Sequence, residues 1–233
     1  MQKRFGYLIF CFIIASTVIW ISLLGNKTVT VLSEQEPIER DCRIIIDPGH
    51  GGEDGGTSSQ TGKPESEYNL EISLRLNDLF HLLGYETSMT RTEDISIYTK
   101  GETLAQKKTS DLKERVRIAQ ETENALLLSI HQNHFPDSRY SGAQVFYAPT
   151  EGSEALGKRI QAAFCSALNP TSNRQCKKSS GIYLMEHIPC TGVLIECGFL
   201  SNLEEEGKLR SAAYQKKICC VIASAVSEYL SNT

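Results

Sequence analysis

Two histidines and a glutamate each stand at the end of a short apolar run. The runs are residues 43–50 (RIIIDPGH), 125–131 (ALLLSIH) and 192–196 (GVLIE), which end at His50, His131 and Glu196. Short apolar runs of this kind predict buried strands, and ligands of open α/β sheets bind at the carboxyl ends of the strands. Because two imidazoles and a carboxylate form a typical catalytic zinc site, the pattern predicts such a site at one sheet edge.

Glu65 is a further candidate ligand. It follows Gly62-Lys63-Pro64 and opens a predicted helix, where the helix dipole favours an anionic group. A helix-start carboxylate that faces solvent is the alternative interpretation. Glu196 ends an apolar run, where a lone carboxylate needs a partner. It is either a structural carboxylate that pairs with an arginine or an acid–base group that lies beside the metal.

Arg91 and Arg115 are the arginines considered as partners of Glu196 or as contacts of the substrate. Arg115 stands on a predicted helix whose opposite face is polar, which favours a role in the scaffold. Arg91 follows a predicted strand, so it is a candidate for binding a peptide or carboxylate group.

The remaining histidines of the domain are weaker ligand candidates. His134 is close enough to His131 to rival it, but the polar segment NHFPDS predicts that it points to solvent. His81, on a predicted helix, and His187, in a predicted loop, are expected at the surface, as most such histidines are.

The glycine-rich segment GHGGEDGG resembles a phosphate-binding loop but does not match one. Asp54 stands where a dinucleotide fingerprint needs glycine, and Pro64 replaces the serine or threonine of a Walker motif. Glycines around His50 instead allow a sharp turn and leave room beside a metal.

Composition predicts one globular domain rather than a nucleic-acid-binding protein. The chain has 233 residues, of which 40% are apolar and 22% charged, with a net charge of −4. This size and composition fit one domain with a substantial core. The small negative charge and scattered basic residues do not fit a nucleic-acid footprint.

The N-terminus has the pattern of a membrane anchor. MQKR is basic, and residues 5–24 contain no charged side chain, a stretch of roughly 30 Å as a helix. We therefore expect an uncleaved anchor over residues 1–25, with a cleaved signal peptide as the alternative. The polar segment 26–42 is a predicted linker, and residues 43–231 form the catalytic domain outside the cytoplasm.

Seven of the eight cysteines lie beyond this anchor, an odd number, so at least one is unpaired within a monomer. We predict that most are small buried apolar residues.

Strand and helix patterns alternate along residues 43–231. They predict an α/β domain with a mostly parallel, mixed sheet of about six strands and helices on both faces. The predicted strands cover residues 43–47, 85–90, 125–130, 142–148, 182–184 and 192–196. The predicted helices cover residues 65–83, 111–122, 153–168 and 212–230. Residues 92–110 are a predicted loop.

Four segments resemble the signature blocks of the zinc-dependent N-acetylmuramoyl-L-alanine amidases of type 3. They are IDPGHGG, ESEYNL, SIHQN and VLIECGFLSN, and the similarity runs from about residue 43 to 230. The segments SGAQVFYAP, 169–175 and ECGFLSNLEEE are most similar to the germination-specific, spore-cortex members. Ser66 and Gln120 depart from the family pattern, but neither is at a ligand position.

The resemblance implies that His50, Glu65 and His131 bind Zn²⁺ and that Glu196 is catalytic. It also implies cleavage of the bond between N-acetylmuramic acid and the L-alanine of the stem peptide, in spore cortex maturation and germination. A zinc carboxypeptidase or deacetylase of another wall bond and a non-catalytic wall-binding protein are the alternatives. Because the sequence has no wall-binding repeat, we expect membrane tethering or a partner protein to localise the enzyme.

Overall fold

Six strands form one mixed sheet in a computed structural model that describes residues 42–232. In chain order the strands are β1 (Arg43–Pro48), β2 (Thr87–Met89), β3 (Ala125–Asn133), β4 (Gln144–Tyr147), β5 (Lys177–Lys178) and β6 (Thr191–Phe199). Their order across the sheet is β2-β1-β3-β6-β4-β5. β1 pairs in parallel with β2 and β3, β3 pairs in parallel with β6, and β4 runs antiparallel to β6. The predicted mostly parallel, mixed sheet is confirmed.

Helices cover both faces of this sheet, as predicted. In chain order they are α1 (Glu65–Leu82), α2 (Leu104–Glu121), α3 (Ser153–Ala167), α4 (Tyr183–His187), α5 (Leu203–Leu209) and α6 (Ala212–Leu230). Ile44 and Ile46 of β1 pack in the apolar cluster that contains residues of α1, α3 and α6, whereas Ile45 packs in the cluster formed with α2 and α4. Since side chains alternate along a strand, a strand buried on both faces needs such a continuous apolar run.

Helix α1 begins directly after Pro64, whose backbone is extended. Proline before a first turn that carries Glu65 and Glu67 is a strong start signal, because acidic side chains near the N-terminus complement the helix dipole. The helix buries Tyr68, Ile72, Leu76 and Phe80 at intervals of four residues, which places them on one face. This start fixes the position of Glu65 at the sheet edge.

Two predicted segments were wrong. Residues 104–110 are not a loop, because α2 begins at Leu104 with a capping box between Thr103 and Gln106; these first turns are largely exposed and so carry no apolar period. Residues 182–184 lie at the start of helix α4 rather than in a strand, and the edge strand is Lys177–Lys178. A run of three residues is too short to separate strand from helix by periodicity.

The predicted anchor (1–25) and nearly all of the predicted linker (26–42) lie outside the described residues. Within residues 42–232, no helix is both long and apolar enough to cross a membrane. The anchor, the linker and the domain boundaries stay predictions.

Seven cysteines lie within the described residues, and the expectation that most of them are buried is wrong. Cys197 and Cys219 are buried, Cys220 is exposed, and Cys42, Cys165, Cys176 and Cys190 are intermediate.

Candidate metal centre

His50, Glu65 and His131 converge at the carboxyl edge of the sheet. One ligand atom from each lies within 4.8 Å of the others. The Nε2 atom of His50 is 3.4 Å from Oε2 of Glu65, and Nδ1 of His131 is 3.0 Å from Oε1 of the same carboxylate. The two imidazole rings are 5.0 Å apart at 73°. Three donor atoms therefore face a common centre.

Neighbouring parallel strands bring the two histidines together. His50 follows β1 and His131 lies near the end of β3, and these strands are paired in register up to Pro48 and Ile130. His50 has a φ of 61°, a conformation that costs a residue with a side chain about 1–3 kcal/mol. A Cβ atom at Gly49 would lie 2.1 Å from Nε2 of His131, so only glycine lets the chain turn this close to the ring.

Hydrogen bonds fix the orientation of the Glu65 carboxylate. Its Oε1 accepts from Nδ2 of Asn69 and from the backbone N–H of Gln132, both at 3.2 Å, and its Oε2 accepts from the N–H of Thr57 at 3.1 Å. Burial opposes ionisation, but the hydrogen bond with His131 and the charges of the two imidazoles outweigh it and lower the pKa of Glu65 to about 2. The side chain is therefore an anion at neutral pH.

Asp54 fixes which nitrogen of His50 faces the centre. Its Oδ2 lies 3.0 Å from Nδ1 of His50, which leaves Nε2 directed towards Glu65. A carboxylate on the outer nitrogen of a histidine is the usual partner of metal-binding imidazoles.

Glu196 lies beside the three converging residues without a partner for one oxygen. It pairs in register with His131 on the adjacent strand β6. Its Oε2 is buried, and no described group within hydrogen-bonding distance pairs with it. Burial, reinforced by the negative charge of Glu65, raises the pKa of Glu196 to about 8. An unpartnered buried carboxyl of this kind marks a functional site.

Arg115 has a scaffold role, as the sequence favours. It is 2% exposed, and its guanidinium forms ion pairs with Asp47 and Asp111. It also donates from Nη2 to the backbone oxygen of His50 at 2.8 Å. Arg115 is therefore a support of the loop that carries His50 rather than the partner of Glu196.

Arg91 binds backbone oxygens rather than a substrate carboxylate. The side chain is buried and donates to the carbonyl oxygens of Pro48, Gly49, Ser66 and Glu93. Its donors are occupied, so the expectation that it contacts a peptide or carboxylate group is not supported. It joins the loop of His50 to the first turn of α1.

The other histidines lie apart from the centre. His134 is exposed, as predicted, and so are His81 and His187. His81 is hydrogen-bonded to Thr87, and His187 to the backbone oxygen of its own helix. Of His131 and His134, only His131 faces Glu65 and belongs to the converging group.

Sequence analysis did not identify Asp54 and Asn69, which bond to His50 and Glu65, or Lys108, whose Nζ lies 2.7 Å from Oδ1 of Asp54. In the sequence, Asp54 stands out only because it departs from a glycine fingerprint. Its position four residues after His50 was the available signal, because an acidic residue so near a candidate ligand can reach the imidazole. Asn69 had a similar signal, since it lies one helical turn after Glu65. Lys108 had none.

A cavity of about 240 Å³ opens beside the centre. His50, His131 and Lys108 line its polar side, and Leu112 and Leu194 are among its apolar lining residues. A substrate group can therefore approach the two imidazoles from this face.

The donor set fits a zinc ion. Two imidazole nitrogens and one carboxylate, with no thiolate, form the three-ligand set that leaves a coordination position open in catalytic zinc sites. The ionised state of Glu65 and the close approach of three donor atoms suit a divalent cation.

The fold and the site define a class of cell-wall hydrolase, because the family model for N-acetylmuramoyl-L-alanine amidase matches residues 44–228. The chain therefore belongs to the N-acetylmuramoyl-L-alanine amidase family, and the resemblance given by its four sequence blocks is confirmed.

Several individual amidases are similar to this chain. The germination-specific N-acetylmuramoyl-L-alanine amidase of Bacillus subtilis is 37% identical to it over 192 residues, and this alignment covers 81% of this chain and 80% of that protein. It is 30% identical to the amidase LytC of the same species, over 80% of this chain but only 35% of LytC. The structure of the CwlD amidase from Clostridioides difficile in complex with the GerS lipoprotein is similar, with a TM-score of 0.79 and 37% identity over 82% of this chain and 99% of that one.

Proposed function

We propose that this protein is a zinc-dependent peptidoglycan amidase that hydrolyses the amide bond between N-acetylmuramic acid and the L-alanine of the stem peptide. The observation that carries the proposal is the convergence of His50, Glu65 and His131 beside an unpartnered Glu196. Membership of the amidase family supports the substrate class and the bond.

In this proposal His50, Glu65 and His131 hold Zn²⁺, through Nε2 of His50, Nδ1 of His131 and the Glu65 carboxylate. When bound, the ion lowers the pKa of a coordinated water to about 7 and polarises the substrate carbonyl. The protein contributes the fixed geometry: Asp54 orients one imidazole, Gly49 lets the other approach, and Asn69 holds the carboxylate.

Glu196 is the acid–base group in this proposal. With a pKa of about 8, its carboxyl carries a proton at neutral pH in the metal-free protein, and nearby positive charge would favour loss of that proton. The group can thus accept a proton from the attacking water and donate it to the departing amide nitrogen of L-alanine. Such assistance is typically worth about 10²–10⁴-fold in rate.

We propose the spore cortex as the setting, where removal of stem peptides precedes formation of muramic-δ-lactam. Support comes from similarity to the germination-specific amidase of Bacillus subtilis and to CwlD of Clostridioides difficile. We further propose that residues 1–25 anchor the protein in a membrane with the catalytic domain outside the cytoplasm. The structure of CwlD with a lipoprotein supports the proposal that a partner protein assists this enzyme too.

Digestion of purified muropeptides, followed by mass spectrometry, tests the bond assignment. The proposal predicts release of an intact peptide that begins with L-alanine. Loss of only a terminal amino acid would indicate a carboxypeptidase, and loss of acetate a deacetylase. Absence of any cleavage by the zinc-loaded full chain would favour a wall-binding protein. Each of these three results would contradict the amidase assignment.

A further inference from the structure

Asp54 connects a candidate metal ligand to a helix that provides no ligand. Its Oδ2 bonds to Nδ1 of His50 at 3.0 Å, while its Oδ1 accepts from Nζ of Lys108 at 2.7 Å and from the N–H of Gly56 at 3.2 Å. Lys108 belongs to α2, which provides none of the three converging residues. The contacts therefore form a chain from α2 through a carboxylate to an imidazole.

His50 needs support of this kind because its backbone is held in the left-handed region, with a φ of 61°. Its carbonyl oxygen accepts from Nη2 of Arg115 at 2.8 Å. Lys108 and Arg115 are seven residues apart on α2, which is about two helical turns, so they lie on the same face. Helix α2 thus contacts His50 in two ways. Arg115 binds its backbone oxygen directly, and Lys108 reaches its imidazole through Asp54.

We propose that Lys108 is a positioning residue of the metal centre, which fixes the imidazole of His50 by holding Asp54 in place. The inference rests on the proposed function, because it requires that His50 bind a metal. Loss of a group that orients a metal-binding histidine typically weakens metal affinity by about 10–100-fold.

Simple electrostatics predicts the opposite effect of removing Lys108. A cation near a divalent metal repels it, so loss of the lysine charge alone would strengthen metal binding. Loss of orientation would weaken it. The direction of the change in zinc affinity therefore separates the two roles.

Lys107 provides a matched control. It is the preceding residue on the same helix, and its Nζ forms an ion pair with Glu53 at 2.7 and 2.9 Å. Glu53 lies on the same loop as Asp54 but outside the chain of contacts that leads to His50. Substitution of either lysine removes one charge and one ion pair, but only Lys108 supports the imidazole through Asp54.

The experiment measures the zinc dissociation constant of the full chain by competition with a chromogenic chelator. We expect Lys108→Met to weaken zinc binding by about 10-fold, at the lower end of the range for such partners, and Asp54→Asn by up to about 100-fold. Lys107→Met should leave the constant close to that of the wild type, and Lys108→Arg should restore most of the affinity. In the cobalt-substituted protein, Lys108→Met should also shift the visible absorption bands, which report ligand geometry.

The result that would overturn the inference is a Lys108→Met protein whose zinc affinity equals or exceeds that of Lys107→Met. The proposed function would then still stand, whereas a wild-type protein that binds no zinc would refute the function itself. Thermal melting of the metal-free proteins shows whether each variant folds. If Lys108→Met does not fold, the inference depends on Asp54→Asn, and unchanged zinc affinity in that variant would refute it.

Discussion

Replacement of Glu196 by glutamine should make the metal-free protein more stable while it removes activity. The two side chains have nearly the same shape, but glutamine cannot ionise. Glu196 is half-buried, and its buried Oε2 has no hydrogen-bond partner among the described residues. Above the pKa of the unfolded state, folding must therefore either protonate this carboxyl or bury it as an anion, and both cost stability.

The size of this loss of stability follows from the pKa of Glu196 in the folded and in the unfolded protein. Folding raises the pKa from 4.5 to about 8, so the folded state binds more protons than the unfolded state between these values. Stability then falls as pH rises through this window, because a raised carboxyl pKa opposes folding above the unfolded pKa. At pH 7 the loss is about 3 kcal/mol, and at pH 4.5 it is close to zero.

Urea denaturation in the presence of a chelator measures this effect at several pH values. Glu196→Gln should exceed the wild type in free energy of unfolding by about 3 kcal/mol at pH 7, with almost no difference at pH 4.5. With zinc restored, muropeptide hydrolysis by the same variant should fall by about 10²–10⁴-fold. Glu151→Gln, at an exposed position, serves as the control and should change neither quantity.

Two results would refute this reasoning. A Glu196→Gln protein with the stability of the wild type at pH 7 would mean that the carboxyl is not held unpartnered in the folded state. A variant that hydrolyses muropeptides at the wild-type rate would mean that the carboxyl takes no part in proton transfer.

Three other substitutions test the support of the centre. Arg115→Met should lower the free energy of unfolding by about 3–5 kcal/mol, measured by urea denaturation, because it leaves the charge of Asp47 buried without its partner. Gly49→Ala should abolish zinc binding in a chelator competition assay, since the new Cβ would lie 2.1 Å from the ring of His131; normal affinity would contradict the account of this turn. His134→Ala should leave zinc affinity and hydrolysis unchanged because the side chain is exposed, and a loss of metal would reopen its candidacy as a ligand.

The sheet and the site histidines could be predicted because their signals are local. Buried parallel strands need continuous apolar runs, so β1, β3 and β6 stand out in the sequence. The carboxyl ends of such strands lie at one edge, which brought His50, His131 and Glu196 together in the prediction. Glu65 was predictable for a related reason, since Pro64 and the acidic first turn mark where α1 begins.

The supporting contacts could not be predicted because they join residues far apart in the chain. Asp54 and Lys108 are separated by 54 positions, and no pattern around either residue identifies the other. The donors of Arg91 are occupied by backbone oxygens, which carry no side-chain signal at all. The start of α2 was missed for a different reason, because its exposed first turns have no apolar face from which a helix could be recognised.

Diffraction from crystals of the zinc-loaded protein, recorded on both sides of the zinc absorption edge, tests the central claim most directly. The account predicts one strong anomalous peak bonded to Nε2 of His50, Nδ1 of His131 and the carboxylate of Glu65, with Glu196 beside the ion but not bonded to it. A peak bonded to other residues, or no peak in protein that cleaves muropeptides after exhaustive chelation, would contradict it.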